Sequence, residues 1–136
     1  MQAQAEKGPV RPGPAPLVVV ADDDAAILEL VQLVLEGEGY RTLGVRDGAA
    51  ALEAIARERP ALLLLDMRMP GQSGWEVAAT LRREDPSGSS VPVVVMSATT
   101  STALWAAEIG ARAHLEKPFD LAELVAVVGA VARPGP

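Results

Sequence analysis

VVVADDDAAI, residues 18–27, carries an oily run straight into three consecutive carboxylates. The run shows no polar alternation, so it reads as a strand covered on both faces. Asp22, Asp23 and Asp24 at its end repel one another, and taking them out of water costs more still. A fold with this strand at its centre therefore needs positive charge at that end.

The flanking segments repeat one plan. Residues 17–21 are strand-like, and Asp24 is placed to cap the helix that follows. In that helix Ile27, Leu30, Val31, Val34 and Leu35 fall on one stripe, and Gly37 and Gly39 end it. Residues 40–45 form a more mixed strand, at or near a sheet edge. Asp47 and Gly48 open a second helix running to about Arg59, with Leu52, Ile55 and Ala56 inward, and Pro60 stops it. Residues 61–65 are again wholly apolar. Ser73 and Glu76 form a capping box for a third helix with Val77, Ala78 and Leu81 inward, followed by a loop at 84–90. Residues 91–96 make a fourth strand, 103–109 a fourth helix ended by Gly110, and 113–116 a fifth strand. Asp120 caps a last helix with Leu121, Leu124, Val125 and Val128 inward.

Strand and helix thus alternate five times, a (βα)5 pattern. Apolar strands joined by helices build a parallel sheet with right-handed crossovers, here a doubly wound α/β sandwich. The 136 residues suit one domain, expected over 17–132. Residues 1–16, rich in Pro, Gly and Ala, and 133–136 read as flexible tails. Twelve basic against 18 acidic residues give a net charge of −6, which argues against a nucleic-acid footprint. With no cysteine, neither a disulfide nor a thiolate metal site is available. There is no leader-like segment, and the apolar runs are too short to span a bilayer, so a cytoplasmic protein without a membrane partner is expected.

In a doubly wound sheet, ligands bind outside the carboxyl ends of the strands. Asp22, Asp23 and Asp24 follow the first strand, Asp66 the third, Ser97 the fourth and Lys117 the fifth. Asp22, Asp23 and Asp66 meeting in one pocket would hold a hard divalent cation through oxygen. That cation and Lys117 would flank Asp66, making it a carboxylate nucleophile suited to receive a phosphoryl group. Ser97 would donate a hydrogen bond to a phosphoryl oxygen.

VVVADDD, LLLLDMRMPGQSGW, VVVMSA and LEKPF, in this order, resemble the receiver domain of two-component response regulators, chemotaxis receivers included. The resemblance spans roughly residues 17–132. It implies a flavodoxin-like sheet of order 2-1-3-4-5 and phosphorylation of Asp66 by a sensor histidine kinase or a histidine phosphotransfer protein. It also implies Mg²⁺ (or Mn²⁺) held by Asp22, Asp23, Asp66 and the backbone carbonyl of Arg68. Lys117, ahead of a cis Lys117–Pro118 bond, would contact the phosphoryl group, and Ser97 would move to bond it. His114 stands where relatives carry an aromatic switch residue; a half-exposed strand histidine without that role is the plain alternative.

Two features depart from the family. The stretch from Ser97 to Lys117 is about two residues shorter than usual. Arg68 sets a cation beside the acceptor, where the family's side chain lies near the route of attacking water. Two other functions compete: an interaction module with an inactive site, and a phosphatase working through an aspartyl-phosphate. The phosphatase would carry a second aspartate where Arg68 stands. Finally, Ala122, Ala126, Val127 and Ala130, with Leu104 or Trp105 beside them, make a greasy face. It suggests a surface for a downstream protein or a second copy across the fourth helix, fifth strand and fifth helix.

Overall fold

A computed structural model of the chain describes residues 15–85 and 91–132. Most of the expected N-terminal tail, the expected C-terminal tail and most of the loop expected at 84–90 lie outside those residues. The order along the chain is β1 (Leu17–Ala21), α1 (Ala25–Gly37), β2 (Arg41–Val45), α2 (Gly48–Glu58), β3 (Leu62–Asp66), α3 (Gly74–Glu84), β4 (Val93–Ser97), α4 (Thr102–Ile109), β5 (Ala113–Glu116) and α5 (Leu121–Ala132). All pairings are parallel, in the order β2-β1-β3-β4-β5.

The apolar strands have no polar face because each face has its own helical layer. Val18, Val20, Leu62, Leu64, Val94, Met96 and Leu115 meet α1 and α5 through Leu28, Val31, Leu35, Leu124 and Val128. Val19, Ala21, Leu63, Leu65 and Val95 turn to the other layer and meet Ala51, Ala54 and Ile55 of α2, Val77 of α3 and Ala106 of α4. Leu62 to Leu65 are all fully buried, and each contributes about 2 kcal/mol to folding.

The strand edges differ from expectation in a useful way. β3 runs one residue further than 61–65 and includes Asp66, and β4 runs through Ser97 rather than ending at Met96. Asp66 is in register with Met96, and the N–H of Met67 donates to the Met96 carbonyl at 3.1 Å. The ladder therefore extends under these polar side chains and holds them on strand backbone.

Three inward assignments are corrected. Leu30 and Leu121 are 46% and 41% exposed; Leu28, Val31 and Leu35 form the buried stripe of α1, and Leu124, Val128 and Ala132 that of α5. In α1, apolar residues lie on nearly every side, so more than one stripe satisfies the helical period. Ala56 is exposed while Ala51 and Ala54 are buried, because an alanine-rich helix offers little contrast between its faces. On α5, Val127, expected outward, packs against the core.

Capping follows the chemistry. Asp24 accepts from the N–H groups of Ala26 and Ile27, Asp47 from Ala50 and Asp120 from Glu123. Ser73 and Glu76 form the reciprocal capping box. The start of α3 presses on the end of β3: a Cβ at Gly74 would stand 2.5 Å from the Met67 sulfur and 2.7 Å from its Cα. Only glycine fits that approach.

Candidate functional site

Register brings four strand ends to one edge. Ala21 pairs with Leu65, so the next residues, Asp22 and Asp66, stand side by side. Asp66 pairs with Met96, which brings Ser97 alongside. Ser97 pairs with Glu116, and the N–H of Lys117 donates to the Ser97 carbonyl at 2.7 Å. The chain winds from β1 outward to β2 and then back past β1 to β3, so the switch point of the sheet lies between β1 and β3 at this edge.

Asp22 is fully buried. Its Oδ1 accepts from the N–H of Asp24 at 2.9 Å and its Oδ2 from the Lys117 ammonium at 2.7 Å. Asp66 is 5% exposed. Its Oδ1 accepts from the N–H of Arg68 at 3.1 Å, and its Oδ2 lies 3.4 Å from the same ammonium. Asp23 is exposed, yet carboxylate oxygens of Asp22, Asp23 and Asp66 lie within 4.8 Å of one another. Asp24 caps α1 and borders the same cavity as Asp23 and Asp66. Ser97 is buried, and among the described residues its hydroxyl is the buried side-chain polar atom with no hydrogen-bond partner. Asp23, Asp66, Arg68, Ser97 and Lys117 line one cavity of about 660 Å³, whose other flank is apolar and includes Leu30, Phe119 and Leu121.

One ammonium serves two buried carboxylates and sits closer to Asp22. Asp66 is left under-compensated: burial pushes its carboxyl up to about 6, and the charge of Asp22 pushes the same way. The Arg68 N–H and Lys117 hold it from rising further. For Lys117, burial favours the neutral form, but the hydrogen bond to Asp22 and the charges of Asp66 and Asp22 outweigh it and raise its pKa. Asp66 thus presents a buried carboxylate beside a fixed cation.

Asp22, Asp23, Asp66, Ser97 and Lys117 all meet as their strand positions indicate, and the Lys117–Pro118 bond is cis. His114 is exposed on β5 and does not line the cavity. The guanidinium of Arg68 lies over the ring of Trp105, 5.7 Å from its centroid. Arg46 was missed: its guanidinium donates to the Asp23 carbonyl at 2.9 Å and braces the acidic loop. The signal was available, since Arg46 directly follows β2 and so emerges at the same edge.

This edge sets carboxylates at β1 and β3, a hydroxyl at β4 and a lysine at β5 of a doubly wound α/β sheet. Residues 18–129 match the response regulator receiver domain family, and the chain belongs to that family. It is a signalling domain of two-component response regulators. It is similar to the DNA-binding response regulator MtrA of Mycobacterium tuberculosis, 42% identical over 118 residues, 85% of this chain and 50% of that protein. The transcriptional regulatory protein CseB of Streptomyces coelicolor is 37% identical, covering 85% of this chain and 49% of its own. Among solved structures, the receiver domain of Francisella response regulator 1452 superposes with a TM-score of 0.78 at 29% identity, covering 87% of this chain and 97% of that one. The chemotaxis response regulator CheY4 of Vibrio cholerae gives 0.78 at 25% identity, covering 86% and 98%.

The chain spans about half the length of the curated relatives it matches. These relatives correct the expected partner set, which excluded nucleic acid: MtrA is named as DNA-binding. The exclusion rested on the net charge of the 136 residues read, and that charge describes the receiver portion only. Among the described residues, no helix is long and apolar enough to cross a membrane.

Proposed function

We propose that Asp66 is the phosphoacceptor of this receiver. An oxygen of its carboxylate attacks the phosphorus of a phosphodonor. The bond from phosphorus to the donor breaks, its electron pair leaves with the donor, and an acyl phosphate remains on Asp66. Lys117 neutralises charge that builds on the transferring group, and the Arg68 N–H holds the carboxylate in line. Ser97 donates its hydroxyl hydrogen to a phosphoryl oxygen. The observation that carries this reading is the pairing of an under-compensated Asp66 with a buried, unpartnered Ser97 hydroxyl in one cavity. A buried hydroxyl without a partner is costly unless another state of the molecule satisfies it.

The donor set also fits Mg²⁺. Three carboxylates within 4.8 Å offer hard oxygen ligands, and the raised carboxyl of Asp66 marks negative charge that one ammonium does not balance. Asp22, Asp23, Asp66 and the Arg68 carbonyl would hold the ion, which when bound supplies a second positive charge at the acceptor. The folded unit runs over 17–132. It assists its own phosphorylation and dephosphorylation without turning over a substrate, and it works in the cytoplasm. Its output is DNA-directed, as the name of MtrA describes for that protein. The test is intact mass after acetyl phosphate and Mg²⁺. One phosphoryl group is expected on the wild type and none on Asp66→Asn; an equal gain on both overturns the assignment.

A further inference from the structure

Arg68 stands two residues beyond Asp66, and its backbone N–H donates to the Asp66 carboxylate. Its side chain is exposed and borders the acceptor cavity, yet its guanidinium rests on Trp105, a residue of α4. At 5.7 Å from the centroid this is a cation–π contact. Trp105 in turn meets Trp75 of α3 edge-on, with centroids 5.5 Å apart. The far end of α4 has a separate tie: Arg82 donates to the Ile109 carbonyl at 2.7 Å. At the near end Ser101 makes no side-chain cap bond, while the buried Thr102 donates its hydroxyl to the Thr99 carbonyl. Arg68 and Arg82 thus both touch this helix of 8 residues, and Arg68 borders the acceptor cavity.

We propose that Arg68 is a phosphoryl-binding residue whose resting seat is Trp105, so that phosphorylation lifts it from α4. The proposal rests on Asp66 being the acceptor. In the resting site Lys117 and the Arg68 N–H already serve the Asp66 carboxylate, which leaves the guanidinium to the ring. An acyl phosphate adds a dianion with three acceptor oxygens next to the root of that side chain. Bidentate guanidinium–phosphoryl bonding is stronger than an exposed cation–π contact, so the dianion wins the guanidinium. Trp105 of α4 then loses its guanidinium cover while Arg82 keeps its bond to the Ile109 carbonyl.

The experiment uses the two tryptophans of the chain. In Trp75→Phe, Trp105 is the sole tryptophan emitter, and acrylamide quenching reads how well its ring is covered. Acetyl phosphate and Mg²⁺ are added, and intact mass gives the phosphorylated fraction. The quenching constant of Trp105 rises with that fraction. In Trp75→Phe with Arg68→Gln it is high beforehand, and the rise is lost. Trp105 quenching that stays constant while the phosphorylated mass accumulates overturns the proposal and leaves the acceptor reading standing. No phosphoryl group on the parent chain, with both tryptophans in place, overturns the acceptor reading and this proposal with it.

Discussion

Replacing Asp66 with asparagine is expected to stabilise the metal-free protein, although it removes the proposed acceptor. Folding pushes the Asp66 carboxyl from 3.8 to about 6. That is roughly a hundredfold in proton affinity, or about 3 kcal/mol against the charged form. The asparagine side chain would keep an oxygen for the Arg68 N–H, and the favourable contact to Lys117 that it loses is already counted in that shift. The gain above neutral pH is therefore about 3 kcal/mol. Between pH 3.8 and about 6 the folded chain keeps a proton that the unfolded chain has released. Stability from this group is therefore greatest at the acid end and falls as pH rises through that window. Urea unfolding in EDTA, followed by tryptophan emission, should move the midpoint of Asp66→Asn up by about 1–2 M at pH 7.5, with the gap closing toward pH 4. Saturating Mg²⁺ should narrow the gap at pH 7.5 by binding the wild type. An asparagine variant no more stable than wild type at pH 7.5, or a gap independent of pH, would refute the reasoning.

Lys117→Met leaves Asp22 and Asp66 buried together without their ammonium and should cost about 2–4 kcal/mol, read from urea midpoints. Ser97→Ala removes an unpartnered hydroxyl, so its urea stability should stay within about 1 kcal/mol of wild type. Its initial rate of phosphorylation by acetyl phosphate should nonetheless drop by roughly tenfold or more, followed by intact mass. Gly74→Ala drives a methyl group into Met67 and should cost about 1–3 kcal/mol in thermal unfolding followed by circular dichroism. Asp23→Asn should weaken Mg²⁺ binding by about tenfold or more in titration calorimetry while leaving the fold intact, because its side chain is exposed.

Which features could be read in advance follows from how loudly each residue speaks. Leu62 to Leu65 permit one arrangement only, a strand covered on both sides, and the helical spacings between such strands then dictate the winding. From that winding Asp22, Asp66, Ser97 and Lys117 come to one edge by register alone. Leu30 and Leu121 were harder, because their helices are apolar on several sides and the choice of stripe is made by the opposing layer. They line the apolar flank of the cavity instead of the core. Ala51 and Ala56 differ in burial but not in type, so only packing separates them. Arg46 and Trp105 act through one carbonyl and one guanidinium. Such contacts depend on rotamers and loop paths that periodicity does not encode.

Arg41 holds Ala15 and Pro16 against the start of the outermost strand, through its side chain and its backbone N–H. α5 runs back from the acidic edge, and Gly129 comes near the Tyr40 hydroxyl beside that same start. Residues 15 and 132 thus both lie on the side of the sheet remote from the Asp66 carboxylate. A purification handle, fluorophore or immobilising linker joined at either point would leave the approach to Asp66 open, so the molecule could be mounted on a sensor chip with its chemistry facing the solution.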